Sequence, residues 1–121
     1  MEKNIFDDNV LCGASAYEEK YYFNHRFDNL PEDVKGQLKV ICILFTQDVG
    51  GTFLMRFDQE GSLCFETFAA ASDYDYDDIG AELLIRQIEK TRAELISSLE
   101  LYYRAFILGE TIDFDQNGVM D

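Results

Sequence analysis

The first sustained pattern along the chain is in "AYEEKYYFN", where Tyr17, Tyr21 and Phe23 share one side of a two-residue period that Glu19 interrupts. That period predicts a strand with one buried face, with a short helix as the alternative given the Ala and Glu content. Ahead of it, "FDDNV" and "CGAS" offer turn residues without a period, so residues 1–13 read as a flexible lead-in.

In "NLPEDVKGQLKVICILFTQDVGG" the period changes. Asn29 is placed to cap a helix, Pro31 suits its first turn because it has no N–H to leave unmet, and Glu32 and Asp33 favour the positive end of the dipole. Val34, Leu38, Ile41, Cys42 and Phe45 then recur at helical spacing and make one apolar face. The run "VICILF" also fits a buried strand after a short helix, because short β-branched apolar runs carry no decisive period. For residues 40–45, helix is the expectation and strand the alternative. Gly50 and Gly51 end the element. After them, "TFLMRFD" and "SLCFETFA" flank "QEG" as a hairpin, with Phe53, Met55 and Phe57 alternating on one strand and Leu63, Phe65 and Thr67 on the other. Gly61 supplies the positive φ that such a loop requires.

The longest periodic stretch is Asp78 to Leu108. Leu84, Ile88, Leu95, Leu99, Tyr102 and Phe106 fall in one arc, beside a second row of Ile85, Ile96, Tyr103 and Ile107. Glu82 with Arg86 and Glu100 with Arg104 stand four apart, and Gly109 is placed to stop the helix. Unbroken, it would be ~46 Å long. A domain of this size has a radius of only ~13 Å, so the helix either breaks or carries its end to another subunit. The predicted order is β-α-β-β-α, an α+β fold of two layers: a small, mainly antiparallel sheet with two helices on one face, the C-terminal one long. Residues 14–109 form the single domain and 110–121 an acidic tail.

Composition narrows the functional classes. A chain of 121 residues with 47% hydrophobic content buries a real core without disulfide or metal staples. Its 24 acidic and 10 basic residues give a net charge of -14, which repels phosphate backbones and anionic lipid at long range. Neither nucleic acid nor membrane is an expected partner. Cys12, Cys42 and Cys64 are odd in number and lack a C-x-x-C spacing, so reduced thiols and a cytoplasmic setting are expected. The start "MEKNIFDDNV" lacks the basic and apolar regions of a signal peptide, and no apolar run approaches a membrane span.

Candidate chemistry is sparse. The tail "DFDQNGVMD" opens like an EF-hand loop, with Asp113, Asp115 and Asn117 at the first, third and fifth positions, Gly118 at the sixth and Asp121 at the ninth. No twelfth position follows and Gly109 interrupts the entering helix, so calcium is not expected there. "DYDYDDIG" places Asp78 where the calcium loop turns on glycine and Leu84 where it needs a bidentate glutamate. Asp77 or Asp78 is better read as a helix cap, with Tyr74 and Tyr76 on one side of the segment and Asp73 and Asp75 on the other. His25 is the single histidine, and the sequence places no nucleophile beside it. Cys12 is a candidate reactive thiol, whereas Cys42 and Cys64 lie in apolar runs and read as core. No phosphate-binding or dinucleotide glycine motif occurs, and no cofactor is expected.

The stretches "LCGASAYEEKYYFN", "NLPEDVK", "ILFTQDVGG", "FDQEGSLCF" and "YDDIGAELL" resemble a family of short acidic cytosolic proteins of clostridia and related Gram-positive bacteria, known as a domain of unknown function. The resemblance spans Leu11 to Glu110 and implies a bacterial cytosolic setting without a mechanism. The functional expectation is a non-catalytic interaction module that self-associates as a homodimer through the long helix or a free sheet edge. The alternatives are an acidic, immunity-like inhibitor of a basic partner and a small divalent-cation-binding protein.

Overall fold

Gly50 and Gly51 both hold positive φ, 84° and 71°, a region open to glycine without steric cost. They turn the chain directly from a helix into a strand. In the computed structural model, which describes residues 9–109, that helix is α1 (Glu32–Val49), and it runs unbroken through residues 40–45. The strands are β1 (Val10–Ser15), β2 (Lys20–Phe23), β3 (Thr52–Phe57) and β4 (Leu63–Phe68). They form one antiparallel sheet in the order β2-β1-β3-β4. Two further helices follow, α2 (Asp78–Thr91) and α3 (Ala93–Tyr102), then a π-helical turn, Tyr103–Ile107.

Strand register decides which side chains face the helices. Cys12 lies opposite both Phe23 and Met55, Ala14 opposite both Tyr21 and Phe53, and Phe65 opposite Met55. These residues share one sheet face, on which α1 lays Leu38, Ile41, Cys42, Phe45 and Val49. An irregularity between Val10 and Cys12 lets Leu11 join the same core. The rings interlock: Phe45 stacks on Phe53 at 4.1 Å, Phe53 lies 6.0 Å from Phe65, and Phe57 stacks on Tyr103 at 4.2 Å. The fold is thus a small two-layer α+β domain, and the hairpin and the α1 face match the sequence reading.

Four expectations are corrected. The lead-in does not extend through residue 13, because Val10–Ser15 is a buried strand between β2 and β3; strands covered on both faces show no alternation to read. The element order is therefore β-β-α-β-β-α-α. Tyr17 is not in a strand but in the β1–β2 turn, where Glu19 takes a φ of 53°. Asn29 does not cap α1; Pro31 occupies that position in extended conformation with no side-chain cap. Of the two outcomes stated for the C-terminal helix, a break is found: it divides at Arg92, whose φ and ψ are -116° and 29°. Just before the break the Thr91 hydroxyl donates to the Gln87 carbonyl at 2.8 Å, a back-bond that bends helices. Arg92 itself reaches across to Gln37 at 3.1 Å. After the break α3 meets the sheet, where Glu100 accepts from the Leu63 amide at 2.8 Å.

On the other face of the sheet Leu54 is fully buried. It lies over Gly13: a Cβ on that glycine would collide with Leu54 Cδ2 and stand 2.8 Å from the Phe53 carbonyl oxygen. Gly13→Ala is expected to lower stability by roughly 1–3 kcal/mol through overpacking, measurable as a lower urea midpoint with unchanged slope.

Candidate functional site

The sequence-derived candidates do not converge. Asp77 caps α2, accepting from the Gly80 amide at 2.8 Å, in keeping with the expected cap. Asp73 instead serves the loop, accepting from the Tyr17 hydroxyl at 2.6 Å and from the Asp75 amide at 3.1 Å. Tyr17 also accepts from the Ala70 amide at 2.9 Å, which ties the β1–β2 turn to the segment before α2. Tyr74 and Tyr76 do not share a side: Tyr74 is 92% exposed, while Tyr76 packs on the core, because the segment turns and the alternation of an extended strand does not apply. Among the described residues no group of three or more His, Cys, Asp or Glu could hold a metal ion. Asp113, Asp115, Asn117 and Asp121 lie outside the described residues.

His25 is exposed and stands 3.3 Å from Asp28. It belongs to a short 3-10 turn, His25–Phe27, that tucks Phe27 into the core against Phe57 and Tyr103. Cys12 is buried, not presented to solvent. Its Sγ lies 3.6 Å from Sγ of Cys42, joining β1 to α1. That contact, together with burial, pushes the Cys42 thiol well above its ordinary range. Tyr21 adjoins the pair: burial first, then the nearby thiols, raise its phenol. Its hydroxyl is buried with no hydrogen-bond partner among the described residues. Cys64 is half-buried, and burial aided by the carboxylates of Asp58, Glu66 and Glu100 raises its thiol too.

What the fold does assemble is an apolar groove between α1 and α2. Val40, Ile41, Leu44 and Phe45 line one wall, and Leu84 and Ile88 the other, around a volume of about 270 Å³. Val40 and Leu44 stay 50% and 57% exposed. With Ile43, which faces the cavity beside the β1–β2 turn, they are the apolar residues of "VICILF" left over once Ile41, Cys42 and Phe45 turn to the sheet, and that surplus was the signal available in sequence. On α2, Ile79 and Leu83 are exposed as well. The charges around the groove nearly cancel. α1 carries Glu32, Asp33 and Asp48 against Lys35 and Lys39, while Asp78, Glu82 and Glu89 of α2 are matched by Arg86, Lys90 and the adjoining Arg92. Almost all of the net charge of -14 is therefore carried by residues outside these two helices.

The raised groups set a pH dependence. A group whose pKa is higher in the folded than in the unfolded chain contributes fully below its unfolded value and loses that contribution as pH rises through the folded one. For Cys42 and Tyr21 the loss begins near the ordinary thiol and phenol values, about 8.5 and 10. Thermal melts under reducing conditions should hold steady to about pH 8 and fall above it, less steeply in Tyr21→Phe, which has no phenol to ionise.

Among the described residues no helix is long and apolar enough to cross a membrane. No curated protein and no solved structure matches the chain. A model of a family of unknown function, DUF6145, matches residues 8–111, the whole of the sheet-and-helix domain and close to the span of the resemblance noted above. The chain belongs to the DUF6145 family.

Proposed function

We propose that the protein is a non-catalytic interaction module of the cytoplasm that pairs with a second copy of itself through the α1–α2 groove. The observation that carries this reading is the coincidence of exposed apolar side chains with near-neutral charge on one face. Two copies carrying -14 each repel over most of their surfaces. The α1–α2 face is where they can approach without that repulsion, and there Val40 and Leu44 remain half in water. A two-fold axis through the groove would bury both residues twice over. Covering the exposed half of one leucine contributes about 1 kcal/mol, so the apolar rim supplies several such increments. Screening of the residual repulsion by salt strengthens the pairing, the opposite of what a charge-steered complex with a basic partner would do. Three free cysteines agree with a reducing compartment.

Sedimentation at micromolar concentration is expected to show a dimer that tightens between 50 and 300 mM salt, roughly the range over which the Debye length falls from above to below 10 Å. Leu44→Glu, at an exposed position that leaves the core intact, should weaken the dimer at least ~10-fold, the equivalent of ~1.4 kcal/mol. A chain that stays monomeric at every salt concentration removes the reading.

A further inference from the structure

We propose that Cys12 and Cys42 are a paired oxidation site, which a hydroperoxide converts within the folded protein into a disulfide linking β1 to α1. The two sulfurs already face each other across the strand-helix interface, 3.6 Å apart. That is van der Waals contact between the sulfurs, from which a covalent bond requires them to close to about 2.05 Å. Cys64 is on β4, a strand that pairs with β3 and not with β1, and it has no cysteine beside it to form a bond.

Both thiols are buried, so oxidation needs a local opening, and Tyr21 is the neighbour placed to supply it. A cavity of about 370 Å³ opens between the β1–β2 turn and α1, lined in part by Ala14, Tyr21, Ile43 and Thr46. Tyr21 is both a wall of that cavity and a neighbour of the two thiols. Its ring is held there by packing on the core and by the closeness of its hydroxyl to the Cys12 thiol. It sits on the four-residue strand β2, which pairs with β1 on one side and, among the described residues, with no strand on the other. Edge elements with few hydrogen bonds open at lower free energy than the sheet interior. Displacement of Tyr21 therefore joins the cavity to the thiols.

The chemistry balances with the peroxide as sole oxidant. Cys12 sulfur, losing its proton, attacks the terminal peroxide oxygen; the O–O bond breaks and the other oxygen leaves with that proton, as water from hydrogen peroxide or as an alcohol from an organic hydroperoxide, giving a sulfenic acid at Cys12. Cys42 sulfur then attacks Cys12 sulfur; the S–O bond breaks, the hydroxyl departs with the Cys42 proton as water, and the S–S bond forms. Cys42, whose thiol is held protonated by its contact with Cys12 and by burial, is the poorer first nucleophile and gives up its proton only in the second step, to the departing hydroxyl. The bond closes a long loop of chain that contains β2 and most of the first turns of α1, and so restricts the unfolded ensemble.

The test exposes the full-length protein to hydrogen peroxide under native conditions, blocks remaining thiols and maps unreduced peptides by mass spectrometry. The expected result is a Cys12–Cys42 cross-linked peptide two hydrogens lighter than the pair, Cys64 still open to alkylation, and a melting temperature roughly 5–15 °C above that of the reduced chain. Tyr21→Leu should form the bond roughly 10-fold faster, as expected when an opening step is eased; Tyr21→Val serves if the leucine variant unfolds. Sulfonic acids at Cys12 or Cys42 without a cross-link, a bond that uses Cys64, or a disulfide that lowers the melting temperature would each overturn the proposal. An unchanged rate in the Tyr21 variants overturns the role given to that ring.

Discussion

Phe53 is held between Phe45 of α1 and Phe65 of β4, and the positions of the remaining elements follow from that stack. It fixes α1 over the middle strands, which places Cys42 against Cys12 and turns Leu38 and Ile41 into the same layer. At the other end of the sheet Phe57 does the same for the C-terminal segment by stacking on Tyr103, with Phe27 tilted against both. Aromatic pairs of this kind add about 0.5–1.5 kcal/mol each beyond the area they bury. The sheet is therefore gripped at two points by rings from opposite ends of the helical layer. α2 spans the interval between them and packs on α1 with only Ala81 fully covered.

This arrangement explains why the apolar groove exists. α1 turns one face to the sheet, and its helical period leaves Val40 and Leu44 on the flank. α2 covers that flank incompletely, since its axis is set by the break at Arg92 and by α3's attachment to β4 through Glu100. Apolar side chains thus stay in contact with water at a place where the charge of the chain is nearly balanced. Among the described residues, carboxylates of the loop before α2 such as Asp73 and Asp77 hold backbone amides.

Much of the architecture was legible. The α1 stripe and the β3–β4 hairpin were visible because amphipathic period and turn chemistry are local properties of the chain. Gly61, at a φ of 89°, is where a hairpin loop with that residue has to be. β1 was not legible, since a central strand buried on both faces mixes Val, Leu, Cys, Gly and Ala without alternation. Gly13, read as a turn residue, is instead a gap into which Leu54 fits. Of the candidate site residues, the sequence suggested Cys12 as a thiol of interest and Cys42 as core. Their adjacency depends on strand register and helix placement across a separation of 30 residues.

The sequence by itself determined the class of the domain, the apolar face of α1, the hairpin and the excess of negative charge, because period, turn residues and ionisable groups act over a few neighbouring positions. Tertiary structure alone decided that the last helical stretch divides at Arg92, that Val40 and Leu44 remain uncovered, and that two distant thiols meet under Tyr21. Those outcomes come from long-range packing: each depends on which side chains another part of the chain brings to the same place, and no local pattern encodes that.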